Sequence, residues 1–396
     1  MEALDFSMVI SILQPLVLAL GISFLSTPIV KSFAYKLGAI DVPKDARRMH
    51  KVPIPRMGGL AIFLGFIISI LIFGQIDEQM KGILLGSVII VVMGIIDDIT
   101  PLRAGLKFIV QIFAALIPVF YGVQITCISN PNIFSANPYW DFGWLSIPIT
   151  VLWIVGLTNA VNLIDGLDGL AIGVSSISAL TMLAIAILVA EPQVAIAMAA
   201  LVGACIGFMP YNLNPAKIFM GDTGSTFLGY ILACITIQGL FKFYAVISFV
   251  VPFLILGLPI FDTMFAIIRR ISHGQNPMAP DRSHVHHRLI DMGLNQKQAV
   301  AVLYVISGIL GLSAVVLATS GELKALLCLV SLLIACLVAA RVIFLPHLSD
   351  EERQQLKEHS LKEELSELEK EAHENESASA ADLQTQENNE EKDAPR

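Results

Sequence analysis

Long apolar runs, each close to the roughly 20 residues that cross a bilayer as a helix, return along most of the chain with short polar connections between them. They predict eleven spans, at about 8–30, 57–74, 82–96, 106–121, 144–158, 170–190, 194–210, 224–241, 245–268, 299–318 and 325–345. The sixth and seventh are separated only by Glu191, Pro192 and Gln193, and Pro192 predicts a tight turn there. No internal repeat occurs. The expected architecture is an all-α polytopic membrane protein over residues 1–346. Residues 347–396 break the pattern: "LKEHSLKEELSELEKEA" predicts a short amphipathic helix, and the polar remainder predicts a disordered end.

Composition agrees with a lipid solvent. Of 396 residues, 55% are hydrophobic and 15% charged, against about a quarter charged in soluble domains. The mean hydropathy is +0.74. The net charge of −8 belongs to the tail, which holds −10 and leaves the body at +2. The body is then slightly basic, and no nucleic-acid partner is expected. The five cysteines are scattered without a CxxC pair, so neither a cysteine metal site nor a disulfide framework is indicated.

Basic residues set the expected orientation. The odd-numbered connections hold fifteen, among them Lys51, Arg56, Lys107, Arg282 and Arg288, and the even-numbered ones only Lys81, Lys242 and Lys324. Positive charge stays on the cytoplasmic side. The odd connections are then cytoplasmic, the N-terminus outside and the tail inside.

Five carboxylates fall at that same predicted face: Asp97 and Asp98 in "GIIDDITPL", Asp165 and Asp168 in "NLIDGLDGLA", and Asp222 in "FMGDTGS". Acids at membrane depth are expensive to hold and are read first as functional. Gathered together they repel unless a cation neutralises them. Hard oxygen donors suit Mg²⁺, or Mn²⁺ in its place, with substrate phosphates completing the shell. The same face offers Lys51 and Arg56 before span two, and Arg282, His284, His286, His287 and Arg288 in "PDRSHVHHRL". Carboxylates beside such bases form a site for a polyphosphate. "GDTGS" opens a helix whose first amides suit phosphate oxygens.

Plainer readings accompany each feature. Paired acids at a helix end are often only solvated, and basic loops also touch anionic lipid heads. The HxHH run is a zinc pattern in other settings. Asp262, about two turns before Arg269, reads as a structural hydrogen-bond acceptor, and Asn159 and Asn162 as helix caps. Co-occurrence on one predicted face is what favours function.

The four motifs "GIIDD", "NAVNLIDGLDGLA", "MGDTGS" and "DRSHVHHRL", in this order, resemble those of the polyprenyl-phosphate N-acetylhexosamine-1-phosphate transferases over roughly residues 8–345. His284-Val285-His286-His287 after "PDRS", in place of three consecutive histidines, is similar to the branch that uses UDP-GlcNAc. The resemblance implies transfer of GlcNAc-1-phosphate to undecaprenyl phosphate at the cytoplasmic face of a bacterial plasma membrane, with Mg²⁺ and release of UMP. It implies Asp222 and Asp98 as metal ligands and Asp97 as the base toward the lipid phosphate. Asn162, Asp165 and Asp168 would shape the nucleotide site. Arg282, His284, His286 and His287 would meet the diphosphate or sugar, and Lys51 and Arg56 the lipid phosphate. The tail's amphipathic stretch suits a homodimer or a downstream glycan enzyme as partner.

Three other readings compete with this one. The UDP-MurNAc-pentapeptide branch shares the motifs. A secondary transporter of an anion places its charges near the midplane and often shows repeats. A CDP-alcohol phosphotransferase continues DxxDG, after two further residues, into an Ala-Arg pair, where this chain has Ile172 and Gly173.

Overall fold

The computed structural model describes residues 6–43, 52–129, 139–239, 250–272, 274 and 284–319. The expected eleventh span, the acidic tail, Lys51 and Arg282 lie outside the described residues.

The apolar pattern becomes helix almost wherever it was predicted. The helices are α1 (Phe6–Leu37), α2 (Gly59–Phe73), α3 (Glu78–Ile99), α4 (Ala104–Phe120), α5 (Ser146–Leu163), α6 (Leu170–Leu188), α7 (Pro192–Asn212), α8 (Gly221–Gly239), α9 (Val250–Ile255), α10 (Gly257–Ser272), α11 (Val285–Asp291) and α12 (Gln296–Thr319). Among the described residues six helices are long and apolar enough to cross a membrane, and α2 and α4 are shorter apolar helices. The protein is a polytopic, predominantly α-helical membrane protein. Pro192 starts α7 two residues after Ala190, which turns the chain with φ of 59°.

The ninth predicted span is not one helix. It divides at Leu256 into α9 and α10. Pro259 has no N–H to donate to the carbonyl of Ile255 one turn earlier. Ser178 of α6 repairs the gap by donating its hydroxyl to that carbonyl at 2.8 Å. The break leaves α10 with Met264, Ile268 and Ile271 exposed on one side and Asp262 and Arg270 buried.

At the centre stands α8, buried along its whole length from Thr223 to Gly239. Helices α3 and α5 pack on it, with α2 and α6 alongside. Gly59 and Gly224 let α2 and α8 meet backbone to backbone, because a Cβ on Gly59 would overlap the Gly224 backbone. Phe66 and Phe63 meet Phe227 in edge-to-face contacts just beyond.

Two short ribbons depart from the all-α expectation. Ile40–Asp41 pairs antiparallel with Ile54–Pro55, and Cys127–Ser129 with Tyr139–Asp141. The first of these matters for function. Phe219 donates its amide to the Pro55 carbonyl at 2.8 Å, and Gly58 and Gly59 donate back to Phe219 and Met220 at 2.9 and 2.8 Å. The segment before α2 is thereby clasped to the segment before α8.

Candidate active site

Antiparallel packing decides which residues meet. The C-terminal end of α3 carries Asp97 and Asp98, the start of α4 carries Lys107, and the end of α5 carries Asn162. Asp165 and Asp168 follow α5, and Asp222 opens α8. All lie at one end of the bundle. Exposed Trp144 and Tyr121 lie at the opposite end of the same helices, as interfacial aromatics do.

Asp222 is held from two sides. Asn162 donates Nδ2 to its Oδ1 at 3.2 Å, and Lys107 binds its Oδ2. The Lys107 ammonium also reaches Asp97 Oδ2 at 3.1 Å, so one cation bridges two carboxylates. The other oxygen of Asp97 accepts the Leu102 amide at 2.7 Å, closing the turn after α3.

Asp98 has a different neighbour. Its carboxylate accepts the Asp222 amide at 3.0 Å and the Thr223 amide and hydroxyl at 3.1 and 2.6 Å. The α8 amides expected to meet phosphate are thus already matched by a carboxylate from α3. Arg56 lies across the end of α3, with Nε 3.3 Å from the Asp98 carbonyl and 3.8 Å from Asp98 Oδ1. A cation there complements the helix C-terminus.

A cavity of about 530 Å³ opens beside these groups, lined by Arg56, Asn162, Asp165, Asp168, Asp222 and His287. Six of the expected residues are therefore brought together. Asp97 and Asp98 stand behind Asp222, and His284 and His286 stand behind His287. Asp168 Oδ2 accepts the Asn214 side chain and the Ala216 amide, each at 3.0 Å, which fixes one wall. Asn159 and Asn162 are not caps: Asn159 donates to Gln111 at 2.6 Å, and Asn162 joins Asp222 and Ser225.

Asp165 makes no side-chain hydrogen bond among the described residues. Burial pushes its carboxyl up to about 8, and the charges of Asp222, Asp98 and Asp168 push it further in that direction. A carboxyl in that position is stabilised by a cation. Asp222 and Asp165 both line the cavity and offer hard carboxylate oxygens, the donor type that Mg²⁺ takes one or two of beside phosphate oxygens and water.

His287 lines the cavity, with His286 and His284 behind it. His284 and His286 stack at 5.8 Å, and His286 and His287 lie 4.3 Å apart. A Cβ on Gly166 would strike the His286 ring, so the loop between α5 and α6 needs glycine there. Burial holds His286 down at about 3, so its ring is neutral and packs against the loop.

The sequence reading placed Lys107 only among topology-setting bases, and it omitted Asp41, Phe219 and Gln296, which also line the cavity. The signal for Lys107 is a lysine within the first turn of a helix whose one other polar side chain is Gln111, "AGLKFIVQIFAALIPVF".

Comparison with known proteins shows the family. The model of "Glycosyl transferase family 4" matches residues 80–240, the stretch from α3 through α8. The chain is 46% identical over 292 residues to a Bacillus subtilis protein named probable undecaprenyl-phosphate N-acetylglucosaminyl 1-phosphate transferase, covering 74% of this chain and 80% of that one. It is 34% identical over 321 residues to a Mycobacterium tuberculosis decaprenyl-phosphate N-acetylglucosaminephosphotransferase, covering 74% and 79%. A Caldicellulosiruptor bescii phospho-N-acetylmuramoyl-pentapeptide-transferase is 38% identical over a shorter 229 residues, covering 54% and 71%. Motifs, fold and relatives agree that this chain belongs to glycosyl transferase family 4, in its polyprenyl-phosphate N-acetylglucosaminyl 1-phosphate transferase branch.

Proposed function

We propose that the protein transfers GlcNAc-1-phosphate from UDP-GlcNAc to undecaprenyl phosphate at the cytoplasmic face of a bacterial plasma membrane. The products are undecaprenyl-pyrophosphoryl-GlcNAc and UMP, the opening membrane step of an envelope glycan such as wall teichoic acid. The carrying observation is Asp222, set between Lys107 and Asn162 at the edge of a cavity that also holds Asp165, Arg56 and His287. The similarity to the Bacillus subtilis protein supports the donor and the acceptor. The fifteen-to-three bias of basic residues supports the cytoplasmic face.

In this reading an oxygen of the lipid phosphate forms a bond to the β-phosphorus of the donor. The bond from that phosphorus to the UMP oxygen breaks, and UMP leaves with the electron pair. Such a transfer is governed by positioning and by neutralising charge. Asp222 and Asp165 would hold Mg²⁺, which supplies positive charge to the diphosphate and the departing UMP. Lys107 balances Asp97 and Asp222. Arg56 and His287 orient them from two walls, and Asp168 shapes the nucleotide side. Asp97 takes any proton left on the lipid phosphate, whose second pKa is near 6. Asp98 positions Asp222 by fixing the start of α8.

The deciding assay uses purified protein, Mg²⁺, undecaprenyl phosphate and a panel of UDP-sugars, with UMP release as readout. Release with UDP-GlcNAc is expected. Release only with UDP-MurNAc-pentapeptide would move the protein to the peptidoglycan branch. Anion uptake into proteoliposomes without UMP would make it a transporter.

A further inference from the structure

Asp262 lies on α10, after the break in the ninth span, and is 4% exposed. A carboxylate buried this deeply needs partners. Its Oδ2 accepts from His284 Nδ1 at 2.8 Å, and its Oδ1 accepts the Val285 amide at 2.8 Å. Both oxygens thus hold two consecutive residues at the entrance to α11. An ionised carboxylate only accepts, which assigns the proton to Nδ1 of His284. From this anchor the chain goes directly to His286, packed on Gly166, and to His287, which lines the cavity.

We propose that Asp262 is a positioning residue for phosphoglycosyl transfer: by gripping His284 Nδ1 and the Val285 amide it sets the pose of α11, and so the place of His287 against the donor. The inference rests on the functional reading above, and it enlarges the site to a residue on a separate helix. Asp262 acts through the histidine run and touches no substrate.

The test is steady-state UMP release from membranes, with the KM for UDP-GlcNAc and the KM for undecaprenyl phosphate measured separately. Asp262→Asn replaces one acceptor oxygen with a donor and is expected to raise the donor KM about tenfold, leaving the acceptor KM within about twofold. Loss of folded enzyme lowers the maximal rate and moves neither KM, so a purely structural role is distinguishable. Val285→Pro is the second variant. Proline is tolerated at the first position of a helix, and His284, with φ −61° and ψ 152°, already has the conformation favoured before proline. It removes the amide that Asp262 accepts and exchanges the partly buried Val285 side chain for a ring of similar size, and a rise of about threefold in donor KM is expected. An unchanged donor KM in either variant, measured against an active wild type, overturns the inference alone. A wild type that releases no UMP overturns the functional reading and this inference together.

Discussion

Asp98 accepts both the amide and the hydroxyl of Thr223, a residue 125 positions later, at 3.1 and 2.6 Å. One side chain at the end of α3 thereby caps α8 from outside it. Asp98→Asn turns one acceptor into a donor facing donors. Hydrogen bonds to a charged group contribute about 1.5–3 kcal/mol, so a loss of about that size is expected, with turnover falling alongside. Thr223→Val removes only the hydroxyl contact and should lose about 1 kcal/mol. Thermal unfolding in detergent beside UMP release checks both. If Asp98→Asn abolished turnover at an unchanged melting temperature, Asp98 would be acting on substrate or metal directly.

Lys107 is the charge that lets Asp97 and Asp222 lie together. Lys107 is about one-fifth exposed, so removing it leaves two partly buried carboxylates uncompensated and is expected to cost less than the roughly 3–5 kcal/mol of a fully buried pair. Lys107→Met is expected to lower turnover at least about a hundredfold. It should also lower the Mg²⁺ concentration for half-maximal rate, because a competing cation is gone. A Mg²⁺ titration of the residual activity reads this, and an unchanged or higher requirement would contradict the bridging role.

The contact of α2 with α8 predicts a contrast between two glycines. Gly59→Ala places a methyl group on the Gly224 backbone and should destabilise by at least about 1–3 kcal/mol. Gly156→Ala, in α5, meets nothing within 4 Å and should be neutral or stabilising by up to about 1 kcal/mol. Melting temperatures of the two variants in one detergent give the comparison.

His286 gives a pH dependence with a definite sign. Its folded value, about 3, lies below the ordinary imidazole value of about 6.5. Between the two, the unfolded chain binds a proton that the folded chain refuses. This contribution is therefore complete above about pH 6.5 and declines as the pH falls toward 3. By pH 5 the loss amounts to about 2 kcal/mol. Thermal unfolding at pH 7.5 and 5.0 should show it, and His286→Gln should flatten the difference. Equal slopes for wild type and variant would mean that His286 is not held neutral by burial.

Much of this was legible before any coordinates. Hydropathy located the helices because a bilayer demands one length and one chemistry, and charge bias placed the five aspartates on a single end. What escaped was pairing across distance. Nothing local to Asp98 signals that it caps a helix more than a hundred residues away, and nothing local to Lys107 names Asp222. The break before Pro259 was present in "GLPIFD", but a hydropathy window averages over it. Two-residue strands are too short for any alternation to register. Asp262 is expected as a hydrogen-bonded structural residue, and its partners are His284 and the Val285 amide, more than twenty residues away and beyond any local pattern.

The complete enclosure of α8 bears on how the protein is made. Its opening "GDTGST" keeps it outside the set of strongly apolar spans, and from Thr223 onward no side is left for lipid. Such a segment has little drive to enter hydrocarbon alone and is expected to be taken up against neighbours that are already inserted. Maturation of the catalytic centre during biogenesis is then a late event, and a nascent chain truncated before the α8 slot is built should expose this segment to membrane quality-control proteases.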